Sequence, residues 1–479
     1  MLAASSLGAI GWRGVALAVL GGVQVVLLAA GSGAPVAMQL SVVVCAAALG
    51  SLALLWIALD GRLSRTPWWW IFGLALALRL IAVQAEPLLE DDHYRYLWDG
   101  LRTAQHFDPY RFAPSAFFAA PELSPLWHDV LSGINNPGVA TIYGPVLQWL
   151  FALAHLLAPG RVGAIQGLLL LVDLGCMALL AQRGVGARWL LAYAVHPVIL
   201  KEAMASAHPD GLVALWLLLA LLTWQRGRMH WTGALLGLAV ATKVAALVAL
   251  PLFFFAPRRG RPSWRSSGAL ALGFVAALGL AYGPFVAFSG SDFVGLSTFA
   301  AHWRFNPLLY RVVEAGVPSG MARPVALVLI AVGVTAVVWH WRAQSGEGDN
   351  FALPPVDSVL LVLILLAPVV NPWYALWALA PAIAARRPLV AVMGCVGVLA
   401  YFNGSVLHEA GWVAEAGRAA PFAVAWPIAL VQLAALACAA VWTAATRRSH
   451  APPARSNPRA SKRHGAPDEQ DRAGGPADR

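Results

Sequence analysis

The chain has 479 residues, of which 59% are hydrophobic and only 12% are charged, and it carries a net charge of +10. The charged fraction is about half that of a typical soluble domain, which excludes an ordinary soluble protein. Apolar runs of about 20 residues recur along the chain, with arginines in the short loops between them, and this pattern excludes a nucleic-acid-binding surface. It predicts an all-α polytopic membrane protein with about 12 transmembrane helices, re-entrant or interfacial helices, and a long first outer loop.

The N-terminal part, 1–66, is predicted to be a transmembrane hairpin. Arg62 and Arg65 follow its second apolar run. Because basic loops stay on the cytoplasmic side, both arginines are expected there. The next run, 67–85, then crosses outward and leads into an outer loop, 86–142.

The outer loop begins with three adjacent carboxylates in the stretch EDDHYRYLWDG, namely Glu90, Asp91 and Asp92. Like charges at a membrane boundary are costly unless they bind something or hold a proton. Transfer of a group to a hydroxyl needs a base, and we predict Asp92 as that base with Asp91 as the second candidate. The alternative is that these acids only cap the helix predicted over 93–106. A divalent cation is left open as a partner of the acids.

Aromatic and basic side chains surround the acids. Tyr94, Tyr96 and Tyr143 offer flat faces that suit the C–H surfaces of a sugar, although single aromatics also form ordinary interfacial belts. Arg95, on the same predicted helix, is expected to neutralise the acids. We therefore include these four side chains, with Glu90, among the predicted substrate-binding residues.

Two later apolar runs fit the charge pattern only if they do not span the membrane. We predict that 143–158 is re-entrant or interfacial, and that 231–256 dips into the membrane as a hairpin with Lys243 near its tip. Every basic loop then lies inside, and four polar clusters reach the outer face. These clusters are EDD at 90–92, AHPDG at 207–211, HWRFN at 302–306 and NPWY at 371–374.

The later clusters supply further candidate side chains. His208 and Asp210 are predicted to hydrogen-bond a sugar or help hold an ion, and the alternative is a helix start at Asp210. Arg304 with His302 is the predicted clamp for a phosphate, and the alternative is an interfacial anchor. Lys243 lies in the middle of an apolar run, where a lone cation is costly, and we predict contact with a phosphate or a carboxylate. No dedicated metal centre is predicted, since the four cysteines lack metal-ligand spacing.

The order of these motifs resembles bacterial C-type membrane glycosyltransferases, the GT-C superfold, and among them the mannosyltransferases. The resemblance rests on the acidic pair, YRYLWDG, FDPYRFAP and IYGPVLQ, and covers about 67–260. FDPY departs from the commoner NPY of the family, and two extra spans precede the core. The resemblance implies a catalytic aspartate at Asp91 or Asp92 and a polyprenyl-phosphate-linked sugar as donor. It also implies an inverting single displacement at a cavity on the outer face.

The sequence thus predicts a hexosyltransferase, with mannose as the expected sugar. The enzyme is expected in a bacterial inner membrane, with its active site on the periplasmic or extracellular face. A glycan, a lipid or a protein would accept the sugar, and the bilayer is the surrounding partner. The catalytic core is predicted at 67–260, a C-terminal transmembrane region at 261–446, and a disordered basic cytoplasmic tail at 447–479. A transporter or flippase of a lipid-linked sugar, or a scaffold without catalysis, is the alternative.

Overall fold

The computed structural model describes residues 2–254, 264–289, 293–318, 320–344, 353–413 and 420–449. These residues form helices joined by short turns, with two isolated bridges and no strand among them. The prediction of an all-α polytopic membrane fold is confirmed. Met1–Ala439 is one compact unit. A second unit begins at Ala440, and most of the predicted tail, 447–479, lies outside the described residues.

The helices of the first half alternate between long apolar ones and short ones. They are α1 (Leu2–Ala30), α2 (Val36–Leu59), α3 (Trp68–Ala82), α4 (Asp92–Gln105), α5 (Pro125–Ser132), α6 (Pro145–Leu157), α7 (Val162–Gln182), α8 (Ala187–Ala194), α9 (Gly211–Gln225), α10 (Met229–Thr242) and α11 (Leu250–Phe254). Short 3₁₀ turns at Gly61–Arg65, Pro114–Phe117 and Val244–Ala249 connect them.

The second half continues the same arrangement. Its helices are α12 (Trp264–Ser289), α13 (Val294–His302), α14 (Tyr310–Gly316), α15 (Ala322–Gln344), α16 (Val356–Leu366), α17 (Ala375–Ala384), α18 (Leu389–Val396), α19 (Gly404–Glu409) and α20 (Trp426–Ser449). Two more 3₁₀ turns lie at Pro372–Tyr374 and Gly397–Tyr401.

Six helices of the described residues are long and apolar enough to cross a membrane, and they lie in α1, α2, α7, α12, α15 and α20. Six further apolar helices have 10–17 residues. A membrane crossing takes about 17 residues or more, so the shorter ones need a neighbouring segment to complete it. Large apolar side chains on the long helices, such as Leu272 and Leu280, are exposed, as is expected where lipid covers them.

The two regions that the charge pattern set apart are short or broken. α6 has 13 residues. Within the described part of the predicted 231–256 run, which ends at 254, the helix is interrupted at Lys243, whose backbone is extended between α10 and the following 3₁₀ turn. The interruption lies at the residue that the sequence placed near the tip of a dipping hairpin.

The stretch 189–204 does not form one continuous helix. α8 ends at Ala194, and a seven-residue π-helical turn, Ile199–Ala205, follows. Pro197 explains the break, because proline has no N–H to donate and its ring clashes with the preceding turn. The π turn ends beside His208 and turns its side chains into the protein core.

An ion pair joins three helices, α3, α7 and α8. Arg79 of α3 pairs with Asp173 of α7, and Tyr193 of α8 donates a 2.7 Å hydrogen bond to the same carboxylate. The Arg79 guanidinium also donates to the carbonyl of Ala194 at 2.9 Å. Buried charges that are paired and hydrogen-bonded in this way fix the relative register of the helices that carry them.

Glycines allow α10 and α12 to pack with their backbones in contact. A side chain at Gly233 of α10 would overlap the carbonyl oxygen of Leu270, and one at Gly273 of α12 would overlap that of His230. Gly237 follows Gly233 by four residues and lies on the same face of α10. Small residues at this spacing are a common means of close helix packing in membranes.

This contact predicts a difference between two glycines of the same helix. We expect Gly273→Ala to lower the free energy of unfolding by at least about 2 kcal/mol, because the added Cβ meets backbone that cannot move aside. A side chain at Gly279 meets nothing within 4 Å, so Gly279→Ala should change it by less than about 1 kcal/mol. Thermal unfolding of the purified variants in detergent measures both, and equal effects would contradict the packing.

Candidate active site at the acidic corner

The backbone is strained at three places around the acids. Leu89, Asn136 and Ala207 are non-glycine residues with φ angles of 59°, 47° and 59°. This left-handed region is uncommon for residues with a side chain and costs about 1–3 kcal/mol when it is held. The three residues immediately precede or follow Glu90, Asn135 and His208 in the chain. Strain of this kind clusters at functional sites, where it orients specific side chains.

Asp92 opens α4 and is held by three donors. Tyr143 donates to Oδ2 at 3.1 Å, and Tyr96 lies 3.5 Å from the same oxygen. The Nδ2 of Asn135 donates to Oδ1 at 3.2 Å and to the Asp91 carboxylate at 2.5 Å. The carboxylate is therefore fixed in direction and only partly exposed, as a general base must be.

The capping interpretation of the acids is wrong for the side chains. Asp91 occupies the position before α4, but its carboxylate makes no capping bond to the helix. It accepts instead from Asn135, which comes from the far end of the outer loop. The first turn of α4 gains only the general benefit of nearby negative charge.

A buried network fixes Tyr143. Asp99 of α4 accepts hydrogen bonds from Thr141 and, at 3.1 Å, from Gln148 of α6. The Thr141 hydroxyl in turn accepts from the backbone N–H of Tyr143 at 3.3 Å. Tyr110 donates to the Tyr143 carbonyl at 2.7 Å. The phenol of Tyr143 is thus held toward Asp92 from both ends of the outer loop.

His208 connects the first acidic cluster to later parts of the chain. Its ring is fully buried and stacks on Trp373, with ring centroids 3.7 Å apart and planes at 13°. Its Nδ1 lies 3.0 Å from the hydroxyl of Tyr96, and its Nε2 lies 3.7 Å from the carboxylate of Glu202. The AHPDG and NPWY clusters therefore meet at the acidic corner.

Asp210 and Lys243 form a second buried pair. The Lys243 ammonium lies 3.6 Å from the Asp210 carboxylate and 4.8 Å from the centre of the Tyr143 ring. Trp377 donates to Asp210 at 2.5 Å. Because Asp210 is fully buried, these two groups are what stabilise its charge. Lys243 therefore has a carboxylate partner, which was one of its two predicted contacts.

A third group lies behind His208. Lys201 pairs with Glu202 at 3.1 Å, and Tyr401 lies 3.1 Å from both Glu202 oxygens. Removal of water from the Glu90 carboxyl raises its pKa well above its usual range, and the Lys201 charge, which lowers it, acts in the opposite direction. Glu90 therefore faces this group rather than Asn135.

A large apolar cavity of about 420 Å³ has Tyr143, the hydrogen-bond partner of Asp92, in its lining. Its lining comes from the end of the outer loop and from α12, α13, α15, α16 and α17, and it includes Tyr143, Tyr374 and Trp377. Lys243 and Arg323 are the cations of the described residues that reach the lining. Tyr143 thus touches Asp92 with its hydroxyl and the cavity with its ring.

The other predicted site residues lie elsewhere. Arg304 is exposed and pairs with Glu314 through two hydrogen bonds of 3.1 and 2.7 Å. His302 is exposed and bonds the carbonyl of Thr298. Neither belongs to the described lining of the cavity. Their cluster reaches the site through its backbone, because the N–H of Phe305 donates to the carbonyl of Pro368.

Two residues near the acids have local roles. The Arg95 guanidinium donates to the backbone carbonyls of Val139 and Asn136 at 2.9 and 3.2 Å, so it holds the loop that carries Asn135. Tyr94 packs over Gly133, where a side chain would overlap its ring. Neither contact leads toward Asp92. Substrate binding by Arg95 and Tyr94 remains a prediction from the sequence alone.

The described residues do not bring three His, Cys, Asp or Glu side chains together in a metal-binding group. Asp91 and Asp92 are adjacent, but Asn135 takes an oxygen of each. The divalent cation that the sequence left open therefore has no complete set of protein ligands within the described part of the chain.

The acidic corner therefore adjoins, through Tyr143, an apolar cavity in a protein with six membrane-length apolar helices among its described residues. A family model described as "Alpha-(1->6)-mannopyranosyltransferase, N-terminal domain" matches residues 1–258 of the chain. The match covers more than half of the 479 residues, and the chain belongs to this family. It is thus a membrane glycosyltransferase, and the resemblance to the mannosyltransferases is confirmed. No curated protein and no solved structure matches the chain.

Proposed function

We propose that the protein transfers a mannosyl residue from a polyprenyl-phosphate donor to a hydroxyl acceptor on the outer face of the membrane. The observation that carries this is the position of Tyr143, which joins Asp92 to the apolar cavity. A lipid phosphate sugar has an apolar chain, an anionic phosphate and a polar sugar. The cavity, Lys243 and the carboxylates of the acidic corner offer matching surfaces in that order.

In the proposed reaction Asp92 takes the proton of the acceptor hydroxyl as its oxygen attacks the anomeric carbon. The bond from that carbon to the phosphate oxygen breaks, and the phosphate leaves with the electron pair. The negative charge that develops on the phosphate is stabilised by the Lys243 ammonium at the edge of the cavity. No covalent intermediate on the protein is needed.

The stereochemistry follows from a single displacement. Attack from the side opposite the leaving group inverts the anomeric carbon. The family description names an α-(1→6) linkage, so the corresponding donor would carry mannose in the β configuration. A primary hydroxyl at C6 of a sugar would then be the acceptor.

The charge pattern supports the assignment of faces. Arg62 and Arg65 precede α3, whereas Glu90 follows it. Arg226 and Arg228 follow α9, whereas Asp210 precedes it. Basic residues at one end of a membrane helix favour the cytoplasmic side for that end. The acids at the other ends are then expected on the periplasmic or extracellular side of a bacterial inner membrane.

Purified protein in lipid nanodiscs, incubated with β-linked polyprenyl-phosphate [¹⁴C]mannose and an α-(1→6)-mannose oligosaccharide, tests the proposal. We expect labelled mannose in the oligosaccharide, attached by an α linkage. Transfer from GDP-mannose but not from the lipid donor would contradict the donor class. Movement of the labelled lipid between leaflets without any transfer would favour the transporter alternative.

The pKa of Asp91 gives a prediction about pH. Removal of water from its carboxylate and the neighbouring Asp92 charge raise the pKa of Asp91 to about 6, although part of the residue stays exposed. Ionised Asp91 accepts from the same Asn135 amide that holds Asp92, so the transfer rate should fall as Asp91 gains a proton and the pH drops through about 6. In Asp91→Asn this fall should disappear, with a rate severalfold below that of the wild type above about pH 6.

Stability should respond in the opposite direction. A carboxyl whose folded-state pKa is raised stabilises the fold below its ordinary value, and this contribution is lost as the pH rises through about 6. Asp91→Asn should therefore unfold at a higher temperature than the wild type near neutral pH and at about the same temperature in acid. Initial rates and thermal melts over a pH series measure both. An unchanged fall in rate near pH 6 would exclude Asp91 as its source.

A further inference from the structure

His208 occupies a position that substrate binding does not explain. Its side chain is fully buried, and Nε2 has no hydrogen-bond partner among the described residues. Nδ1 faces the hydroxyl of Tyr96 at 3.0 Å, and that hydroxyl lies 3.5 Å from Asp92. A buried polar atom without a partner costs about 1–3 kcal/mol, so its retention calls for an explanation.

The surroundings of the ring suit a cation that exists for part of a reaction cycle. Trp373 covers one face at 3.7 Å, and the face of an indole attracts a positive charge. The Glu202 carboxylate lies 3.7 Å from Nε2, so a shift of less than about 1 Å gives a charge-assisted hydrogen bond. Burial, followed by the charges of Lys201 and Lys243, lowers the pKa of His208 well below its usual range. The imidazole is thus neutral before the reaction.

The reaction itself changes this balance. Sugar transfer releases one proton to Asp92 and adds one negative charge to the phosphate beside Lys243, whose own charge is then offset. The added phosphate charge favours a positive charge on the imidazole, and the proton on Asp92 becomes available to move there. The charged or titratable groups that face His208 and Glu202 are Lys201, Lys243, His93, Tyr96, Glu90, Asp210 and Tyr401.

We propose that His208 stores the acceptor proton during transfer, with Tyr96 as the connection to Asp92 and Glu202 as the counter-ion. In this step protonated Asp92 gives its proton to the Tyr96 oxygen while the Tyr96 proton moves to Nδ1 of His208. Asp92 is again ionised, Tyr96 is unchanged, and the imidazolium pairs through Nε2–H with Glu202. After product release the proton returns by the same two bonds and leaves to solvent from Asp92. The step rests on the proposed function, since Asp92 must first act as base.

The direct test compares the release of protons with the transfer of mannose. Wild-type protein in nanodiscs is mixed with β-linked polyprenyl-phosphate mannose and the oligosaccharide acceptor in weakly buffered solution, and a pH-indicator dye reports proton release during a single turnover. We expect proton release to lag behind mannosyl transfer. In His208→Phe, which keeps an aromatic ring on Trp373, release and transfer should coincide. Proton release without a lag in the wild type, or a lag that persists in His208→Phe, would contradict proton storage on His208.

Rates give a second and independent readout. Tyr96→Phe keeps the stack on Phe151 and removes only the hydroxyl, and Glu202→Gln keeps the size of the counter-ion and removes its charge. Each should lower the single-turnover rate about tenfold with little change in the KM for donor. Because both act on one path, the double variant should be no slower than the slower single one. Multiplicative losses, or no loss in either single variant, would overturn the proposal.

A matched control separates these effects from general loss of a buried hydroxyl. Tyr193→Phe removes a phenol that donates a hydrogen bond to Asp173. Neither residue belongs to the proposed proton path from Asp92 through Tyr96 to His208. The rate of this variant should equal that of the wild type. The two proposals also fail differently. Suppose that the wild type transfers mannose and Asp92→Asn does not. A wild-type rate in Glu202→Gln would then contradict only the proposed proton storage on His208. If the wild type transfers nothing, the proposed function fails first.

Discussion

Replacing Asp92 with asparagine should lower the rate of mannosyl transfer by at least about 100-fold, because the amide cannot take a proton from the acceptor. The substitution keeps the size of the side chain. The hydroxyls of Tyr143 and Tyr96 can rotate to accept from the new amide, while Asn135 can still donate to its oxygen. The variant should therefore insert and unfold like the wild type, with a similar KM for the lipid donor. Steady-state rates and thermal melts of the purified variant measure these quantities.

The outer loop supplies a control of the same chemistry. Asp129 of α5 is an exposed carboxylate in the same loop, and Asp129→Asn should retain the wild-type rate. A loss of transfer in both variants would point to loop charge in general rather than to one base. Full activity in Asp92→Asn would mean either that Asp91 is the general base or that the acids take no part in the chemistry, as in the scaffold alternative.

The parts of the site that the sequence predicted are those with a strong local signal. Three adjacent acids after an apolar run, and a lysine in the middle of another, are each costly in a membrane unless they have partners. Glu90, Asp92 and Lys243 were predicted as site residues for this reason. The helix predicted over 93–106 is α4 with a shift of one residue at each end. These features depend on neighbours within a few positions along the chain.

The partners could not be identified in this way, because long-range contacts set them. Asn135 lies 43 residues from Asp92 in the chain, and Tyr401 lies 199 residues from Glu202. Neither residue stands out, since a loop asparagine before Asn-Pro and a tyrosine near a helix end are ordinary in composition. The strained turn at Asn136 is the physical feature that directs Asn135, and no residue type announces it.

The position of Arg304 illustrates a different limit. The loop pattern predicted a face of the membrane for this residue, but it carried no information on the direction of the side chain. Glu314, ten residues later on α14, accepts two hydrogen bonds from the guanidinium at a single carboxylate oxygen. Arg323, which reaches the cavity, was not among the predicted site residues. Its guanidinium donates to the carbonyls of Ala300 and Trp303 at the end of α13, and so holds that helix over the cavity.

Because Arg304 and Arg323 both bond to protein groups, Lys243 is the cation that we propose to stabilise the departing phosphate. Replacing Lys243 with glutamine should lower kcat/KM for the lipid donor by about 100-fold, because the charge that stabilises the departing phosphate is lost. Both terms should change, since the ammonium contacts the phosphate before and during transfer. The amide can still donate to Asp210, which limits the cost of leaving that buried acid without its cation. Donor titrations with the purified variant separate KM from kcat.

The comparison that decides between the two cations is Arg304→Gln. Its guanidinium holds only the exposed Glu314, so this variant should keep the wild-type donor KM and rate. The double variant Lys243→Gln with Asp210→Asn removes both buried charges, and it should fold as well as the wild type while remaining slow. If the double variant recovered full activity, the lysine would serve only to neutralise Asp210. If Arg304→Gln were the slow variant, the phosphate would lie near the 302–306 cluster, and the cavity beside Tyr143 would not be the donor site.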